Sequence, residues 1–224
     1  MKFRFTATWA IFPCLLGHAC IAMALESVRT QEIFECQSGE IATWNDGKDR
    51  PAIGAELVFA YNPANAPSRF PESVVAQMVS RAAMAWSQCG VPSQTVHRSE
   101  TASAAPGVIW VRWNEVESRG NFGLANLGQR TISLSAKAFD LLNSRNPGHD
   151  ARETLQMTIS HEMGHVFGLL AHSRRCVDVL SYYHDGKGQQ CYKRYPQDTV
   201  RVTEYRHTLP TACDIERCRK ANGK

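Results

Sequence analysis

The 224-residue sequence lacks the excess of basic side chains that is typical of nucleic-acid-binding proteins. It contains 25 Lys and Arg residues against 21 Asp and Glu residues. Without Lys2 and Arg4, which belong to the leader described below, 23 basic residues face 21 acidic ones, a net charge of +2. The sequence also lacks internal repeats and low-complexity segments, and 43% of its residues are apolar. These features exclude a disordered chain and predict a folded protein with no nucleic-acid partner.

Long apolar runs are missing beyond the N-terminus, which excludes a transmembrane segment from the rest of the sequence. At the N-terminus, Lys2 and Arg4 precede an uncharged run over residues 5–25, and Ala22-Met23-Ala24 offers a small-x-small cleavage site. This pattern predicts a secretory signal peptide over residues 1–24, with an uncleaved membrane anchor as the alternative. We therefore expect a secreted protein, periplasmic or extracellular, without stable membrane insertion after the signal peptide is removed.

No pair of cysteines has the C-x-x-C spacing of common zinc sites, which argues against a cysteine-ligated metal. Two of the eight cysteines leave with the signal peptide, and the mature chain keeps six: Cys36, Cys89, Cys176, Cys191, Cys213 and Cys218. An even number in an exported protein predicts three disulfide bonds. Proximity along the chain favours Cys36 with Cys89, which leaves two bridges among the four C-terminal cysteines. Cys213 and Cys218 would point about 140° apart on a regular helix, so either they pair elsewhere or this stretch is not helical.

The mature chain is expected to contain a loose extension over residues 25–35 and one domain over residues 36–224. Strand patterns cover residues 56–61, 108–113, 121–127 and 130–135, the last two joined as a hairpin by Gly128-Gln129. Apolar spacing predicts two helices, one from Pro71 to Gly90 and one from the Asp150–Glu153 capping box to about Gly168. Residues 198–207 fit either a helix or a strand, in a C-terminal region that is otherwise rich in loops. The order of these elements predicts an α+β fold with a sheet backed by two helices.

The second predicted helix carries the sequence His161-Glu162-Met163-Gly164-His165. Histidines at positions i and i+4 lie about 40° apart around a helix, so both imidazoles can reach one metal ion. They point about 150° away from the apolar sector of the helix, which predicts that they face a cleft while the opposite side is buried. That sector contains Leu155, Ile159, Met163, Val166, Phe167 and Leu170.

A zinc site that leaves one position for water needs a third protein ligand. Gly168 can adopt the left-handed conformation that ends a helix and turns the chain back. His172 follows this turn and is the predicted third ligand, with Asp178 and His184 as alternatives.

These residues resemble the zinc motif of the metzincin clan of endopeptidases, H-E-x-x-H-x-x-G-x-x-H. The chain matches the motif at His161, Glu162, His165 and Gly168, whereas His172 stands one residue later than the third histidine of the family. The elements that precede the zinc helix are similar to those of a matrixin catalytic domain. The resemblance implies a mixed, twisted sheet of about five strands backed by two long helices, the second of which carries the zinc motif.

A second part of the resemblance lies downstream. Residues 178–183 (DVLSYY) are similar to the methionine-containing turn of astacin-like and serralysin-like metzincins, with Leu180 in the position of the methionine. Leucine has a similar volume and can fill the same apolar space. Tyr182 matches the family tyrosine that binds zinc or stabilises the transition state, and a buried structural tyrosine is the alternative.

The resemblance implies a zinc-dependent endopeptidase that acts on a protein or peptide substrate. One catalytic Zn2+ would be bound by His161, His165 and His172, and Glu162 would act as the general base. Tyr182 would donate a hydrogen bond to the developing oxyanion. An extended peptide would bind by strand addition along residues 123–128.

Alternatives stay open at this point. A zinc-binding effector or binding protein with a metzincin fold and little proteolytic activity would fit the displaced third histidine and the missing methionine. A different class of zinc hydrolase would use Glu204 as a ligand, and a latent form would bind zinc through the Cys36 thiolate. The sequence does not decide the oligomeric state or a structural Ca2+, for which Asp46-Gly47 and His184-Asp185-Gly186 are weak motifs.

Overall fold

A computed structural model describes residues 28–96, 107–195 and 204–224 of the chain. The predicted signal peptide, residues 1–24, and residues 198–203 of the ambiguous C-terminal segment lie outside the described residues. Residues 28–34 are helical and are named α1. The other elements are β1 (Leu57–Asn62), α2 (Glu72–Ser87), β2 (Ser93–Val96), β3 (Val108–Trp113), α3 (Glu115–Ser118), β4 (Gly123–Asn126), β5 (Thr131–Leu134), α4 (Ala136–Arg145), α5 (Ala151–Val166) and α6 (Ala212–Ala221).

The five strands form one mixed sheet in the order β2-β1-β3-β5-β4. Neighbouring strands run parallel except β4, which pairs antiparallel with β5 at one edge. The α+β class and the predicted β4–β5 hairpin are therefore confirmed. Strand β2 was not predicted, because it is a short, polar stretch (SQTV) that lies partly exposed at the opposite edge of the sheet.

The two long helices, α2 and α5, pack against each other and against one face of the sheet. Trp86 of α2 is fully buried, and its indole N–H donates to the Ser160 carbonyl of α5 over 2.8 Å. Phe167 stacks on Trp86 and on Phe59 of β1, which joins the helices and the sheet into one apolar core. The histidine side of α5 is enclosed as well, so the helix is buried along nearly all of its length after Glu153.

The C-terminal region contains a helix that the sequence analysis did not predict. Thr211 and Asp214 form a capping box at the start of α6, and this Thr-x-x-Asp pattern was the available signal. Both Cys213 and Cys218 lie on α6 and pair elsewhere, as one of the two alternatives required.

The predicted number of disulfides is confirmed, but the predicted pairing of Cys36 with Cys89 is wrong. The bonds are Cys36–Cys213, Cys89–Cys218 and Cys176–Cys191, with Cα–Cα distances of 4.8, 5.6 and 5.1 Å. Proximity along the chain failed because α6 packs between the N-terminal segment and the end of α2, where each of its cysteines meets a distant partner. Three disulfides fit a protein that is exported to an oxidising compartment. Among the described residues, no helix is long and apolar enough to cross a membrane.

The N-terminal segment is more ordered than the loose extension that was expected. Within α1, Glu32 is fully buried, and its carboxylate accepts hydrogen bonds from the Arg194 backbone N–H and the Tyr205 hydroxyl. Its carbonyl accepts from the Arg175 guanidinium over 2.7 Å. These contacts attach α1 to the C-terminal half of the chain.

Candidate metal centre

The glycine turn after α5 brings the third histidine back to the first two. Gly168 has a φ of +102°, a conformation that L-residues rarely adopt. A Cβ at this position would also collide with the Arg50 carbonyl oxygen, and the Arg50 N–H donates to the Gly168 carbonyl over 3.0 Å. Glycine is therefore required at residue 168 both by its backbone conformation and by the close approach of a second chain segment.

His161, His165 and His172 form one cluster. Their ring centroids lie 5.0 to 5.1 Å apart in all three pairs, and one nitrogen from each ring lies within 4.8 Å of the other two. His161 and His172 are only 8% and 9% exposed. This buried group could hold a metal ion. The grouping that the sequence predicted for these three residues is thus present in the fold.

The Nδ1 atom of each imidazole lies within hydrogen-bond distance of an oxygen, which fixes the orientation of the ring. The Nδ1 of His161 lies 2.8 Å from the Val179 carbonyl, and the Nδ1 of His165 lies 2.7 Å from the Leu169 carbonyl. Because a carbonyl only accepts, Nδ1 of each ring carries the hydrogen, which leaves the Nε2 lone pair for a metal. The Nε2 of His172 is buried without a hydrogen-bond partner among the described residues. A buried nitrogen of this kind, beside two other imidazoles, fits a metal ligand.

All three imidazoles are kept in the neutral form that metal binding needs. Burial and the neighbouring histidines hold the pKa of His161 well below its ordinary value. Burial, followed by the electrostatic interaction with the neighbouring His172, lowers the pKa of His165 to about 4. Burial also lowers the pKa of His172, although its bond to Asp46 opposes the shift. A divalent cation would therefore find three uncharged nitrogen donors.

Asp46 contacts the histidine cluster, and sequence reasoning missed it as a partner of the histidines. One carboxylate oxygen accepts from the His172 backbone N–H over 2.9 Å, and the other lies 2.7 Å from the His172 Nδ1. Burial raises the pKa of Asp46, but these hydrogen bonds outweigh it and the net shift is downward. The available signal was the acidic Asp46-Gly47 turn, which the sequence analysis treated only as a weak calcium motif. Its carboxylate instead orients a candidate metal ligand.

Leu180 packs against Gly164 of α5, the helix that carries His161 and His165. It is fully buried, and a Cβ on Gly164 would lie only 2.6 Å from its Cδ2. The turn is held in place by Asp214, whose carboxylate accepts from the Val179 N–H over 2.9 Å. Because the Val179 carbonyl in turn bonds His161, this turn both fills space and orients one ring.

Glu162 points toward the edge strand of the sheet. Its Oε2 accepts from the Ala125 N–H of β4 over 2.8 Å, and its side chain is almost fully buried. Burial raises the pKa of Glu162 to about 7, although the Ala125 N–H lowers it. Gly123 permits this approach, because a Cβ there would lie 2.9 Å from the Glu162 Cγ and 2.6 Å from Thr158. At this glycine, close packing rather than turn geometry excludes a side chain.

Tyr182 lies against the cluster and is not a buried structural residue. Its ring stacks on His172 with centroids 3.8 Å apart, and 41% of the residue is exposed. Burial of part of the side chain, with the charges of Asp46 and Glu162, raises the pKa of its hydroxyl. Tyr182 therefore stays protonated at neutral pH and can donate a hydrogen bond.

The alternative ligands are placed elsewhere. Asp178 is buried in hydrogen bonds with Ser173, Arg175 and Thr211, and His184 is exposed. Cys36 is bonded to Cys213, so it offers no thiolate to a metal.

The remaining alternative, Glu204, forms an ion pair with Arg206 and accepts from the Tyr183 hydroxyl. In the part of the chain that the structure describes, Asp178, His184 and Glu204 do not join the group of converging histidines.

Comparisons with known proteins add little. No protein-family model matches the chain, and no curated protein matches it. Among solved structures, it is similar to a chain of the structure described as "GM1 bound form of the ECX AB5 holotoxin". The two chains are 15% identical, the match covers 79% of this chain and 86% of the other, and the TM-score is 0.48. A likeness at this level carries no argument about function.

Proposed function

We propose that this protein is an exported zinc-dependent endopeptidase that hydrolyses peptide bonds in a protein or peptide substrate. The observation that carries the proposal is the convergence of three neutral histidines next to a carboxylate at the edge of a sheet. His161 and His165 come from one helix, and His172 follows the Gly168 turn. The metzincin resemblance of the sequence agrees with this arrangement.

The donor set favours zinc as the metal. Three neutral imidazole nitrogens, each with a fixed tautomer, are a common ligand set of catalytic zinc sites that keep a position for water or substrate. When bound, the ion supplies a Lewis acid that lowers the pKa of water to about 7 and polarises a carbonyl group. His161, His165 and His172 would hold it through their Nε2 atoms.

Glu162 is the residue that moves a proton in this proposal. It lies on the same helix as the first two ligands, directly after His161, but it is not part of the converging nitrogen group. Its Oε2 is positioned by the Ala125 N–H, which leaves Oε1 to accept the proton of the attacking water. The same carboxyl group then delivers that proton to the leaving amine. As the carbon–nitrogen bond breaks, the water oxygen becomes part of the new carboxylate.

Two further parts of the chain would position the substrate. Among the described residues, β4 pairs with β5 on one side, and an extended peptide would bind along its other edge, where Glu162 already occupies the Ala125 N–H. Tyr182, exposed and stacked on His172, would donate a hydrogen bond to the oxyanion that develops at the scissile carbonyl.

The first test of this proposal is the metal. The purified protein should bind about one zinc ion per chain, and His165→Ala should lose most of it. His172→Ala should weaken zinc binding more than the control His184→Ala, because His184 is exposed and outside the cluster. Full zinc occupancy in His165→Ala would remove the basis of the site.

The second test is catalysis. Glu162→Gln keeps the shape of the side chain but cannot accept a proton, so zinc content should persist while cleavage of a denatured protein falls on the order of 10²-fold or more. If the zinc-loaded wild type cleaves no unfolded substrate and yet retains a protein partner as well as Glu162→Gln does, a zinc-containing binding protein or effector replaces this proposal.

A further inference from the structure

A groove of about 660 Å³ opens beside the histidine cluster. One wall is the segment of residues 43–46, and the other is formed by Tyr182 and residues 184–187, with Arg174 also in the lining. Two of its residues belong to the candidate metal centre as well, because Tyr182 stacks on His172 and Asp46 bonds the same ring. A substrate bound across the histidines would therefore pass next to this groove, which we name the Arg174 groove.

The charge of Arg174 is not neutralised by a partner within the described residues. Its guanidinium carbon lies 4.8 Å from the centroid of the Trp44 ring, and its Nε is buried without a hydrogen bond. Its two Nη nitrogens are neither enclosed in this way nor hydrogen-bonded within the same residues. The adjacent Arg175 differs, since it is fully buried and paired with Asp178 and Glu40. Arg175 is thus part of the fold, whereas the fork of Arg174 is available to a ligand.

The two acidic side chains of the groove stay negatively charged, and each accepts hydrogen bonds from neighbouring groups. Both carboxylate oxygens of Asp46 bind His172. The Oδ1 of Asp185 accepts from the backbone N–H groups of Lys187 and Gln189 over 2.7 and 3.0 Å. The Lys187 ammonium has no ion-pair partner in the part of the chain that the structure covers. The two carboxylates therefore offset the two cations of the lining in formal charge, and what distinguishes the groove is the guanidinium of Arg174, whose Nη donors make no hydrogen bond within the described residues.

We propose that the Arg174 groove binds an acidic side chain, Asp or Glu, of the peptide substrate, and that this contact selects the cleavage site. This inference rests on the proposed function and deepens it by naming the substrate class. The planar guanidinium matches a carboxylate with two parallel hydrogen bonds, and stacking on Trp44 holds the fork in one plane. Lys187 adds a second positive charge in the same lining.

The test uses zinc-loaded Glu162→Gln, which binds peptide without turning it over. Labelled peptides of neutral sequence carry one Glu that is moved along the chain, and each is matched by a peptide with Gln at the same place. Both ends are blocked, so a terminal carboxylate cannot imitate the side chain. At one position, fluorescence anisotropy should show tighter binding of the Glu peptide by on the order of tenfold, decreasing with added salt.

Variants identify the residue responsible. Arg174→Gln should abolish the difference between Glu and Gln peptides, Arg174→Lys should restore part of it, and the control Arg81→Gln on α2 should leave it unchanged. The active enzyme should show the same order in its cleavage sites, which keeps the test decisive if Arg174→Gln folds poorly. Equal binding and equal cleavage of the paired peptides would overturn this inference while the proposed peptidase stood. Glu preference in binding without any cleavage would support the groove and overturn the peptidase.

Discussion

Asn in place of Asp46 tests how the third histidine is held. The carboxylate makes two contacts with His172, one to the backbone N–H over 2.9 Å and one to Nδ1 over 2.7 Å. Asn keeps the carbonyl oxygen that accepts from the backbone, so the turn at residue 172 retains its attachment. At the ring, however, the amide NH2 of Asn replaces the carboxylate oxygen that accepts from Nδ1–H, so two hydrogen-bond donors would face each other. The ring then favours the tautomer with the hydrogen on Nε2, which removes the lone pair that a metal needs.

The size of the effect follows from the bond that is lost. A hydrogen bond to a charged group contributes about 1.5–3 kcal/mol, and substitutions of partners that orient metal-bound histidines cost about 10- to 100-fold in metal affinity. The two ranges agree, because each tenfold change corresponds to about 1.4 kcal/mol. We therefore expect Asp46→Asn to weaken zinc binding by about 10- to 100-fold.

Competition with a chelator of known zinc affinity measures this change, and circular dichroism checks that the variant is folded. Asp140→Asn is the matched control, since that carboxylate lies on α4 in an exposed pair with Arg69. Asp46→Ala leaves Nδ1 free to bond water, so it should cost no more affinity than Asp46→Asn although it removes both contacts. Zinc affinity of Asp46→Asn within about twofold of wild type, the range of a neutral surface change, would refute this account of the ring.

Four further outcomes are expected. Gly168→Ala should destabilise the fold by about 1–3 kcal/mol in a denaturant titration and release zinc, because the added Cβ would collide with the Arg50 carbonyl. If the variant were as stable as wild type, the positive φ at residue 168 would not require glycine. Leu180→Met should change the free energy of unfolding by less than about 1.5 kcal/mol and keep zinc affinity, and loss of zinc would show that leucine has a specific role. Tyr182→Phe should keep zinc and lower kcat, whereas an unchanged kcat would exclude the hydroxyl from the reaction. A sample with free zinc at 100 times Kd should have a free energy of unfolding about 2.7 kcal/mol higher than the same protein without zinc. An unchanged melting temperature after zinc removal would mean that the folded chain does not bind the ion.

The parts of the molecule that the sequence predicted are those encoded by short-range patterns. Val108–Trp113 was predicted with its observed bounds, because five of its six residues are β-branched or aromatic, a composition typical of strands. His161 and His165 were found together because a spacing of four places two side chains on one helix face. Gly168 was found because a turn that reverses the chain after a helix requires a positive φ. Each of these inferences needs only residues within one or two turns of each other.

Contacts between distant segments were the ones that could not be predicted. Cys89 and Cys218 are 129 residues apart, and pairing them requires α6 to be placed beside the end of α2. Half of the ten residues of α6 are charged and Ile215 is its only large aliphatic residue, so apolar spacing gave no signal of the helix that carries Cys218. Proximity along the chain then became the default criterion, and it selected the wrong partner for Cys36.

The proposed third ligand, His172, shows how the two kinds of information combine. His172 stands one residue later than in the family pattern, and local geometry alone does not say where the added residue goes. In the structure, Asp49 accepts from the N–H groups of Leu170 and Ala171 over 2.9 and 3.1 Å. Asp46 then binds His172, and Gly47 passes so close to the Leu170 carbonyl that a Cβ would collide with it. The longer turn is thus stabilised by a segment more than 100 residues earlier in the chain, and this segment sets the direction of the ring. For this reason the substitution at Asp46, rather than one within the histidine motif, is the sharper test of the site.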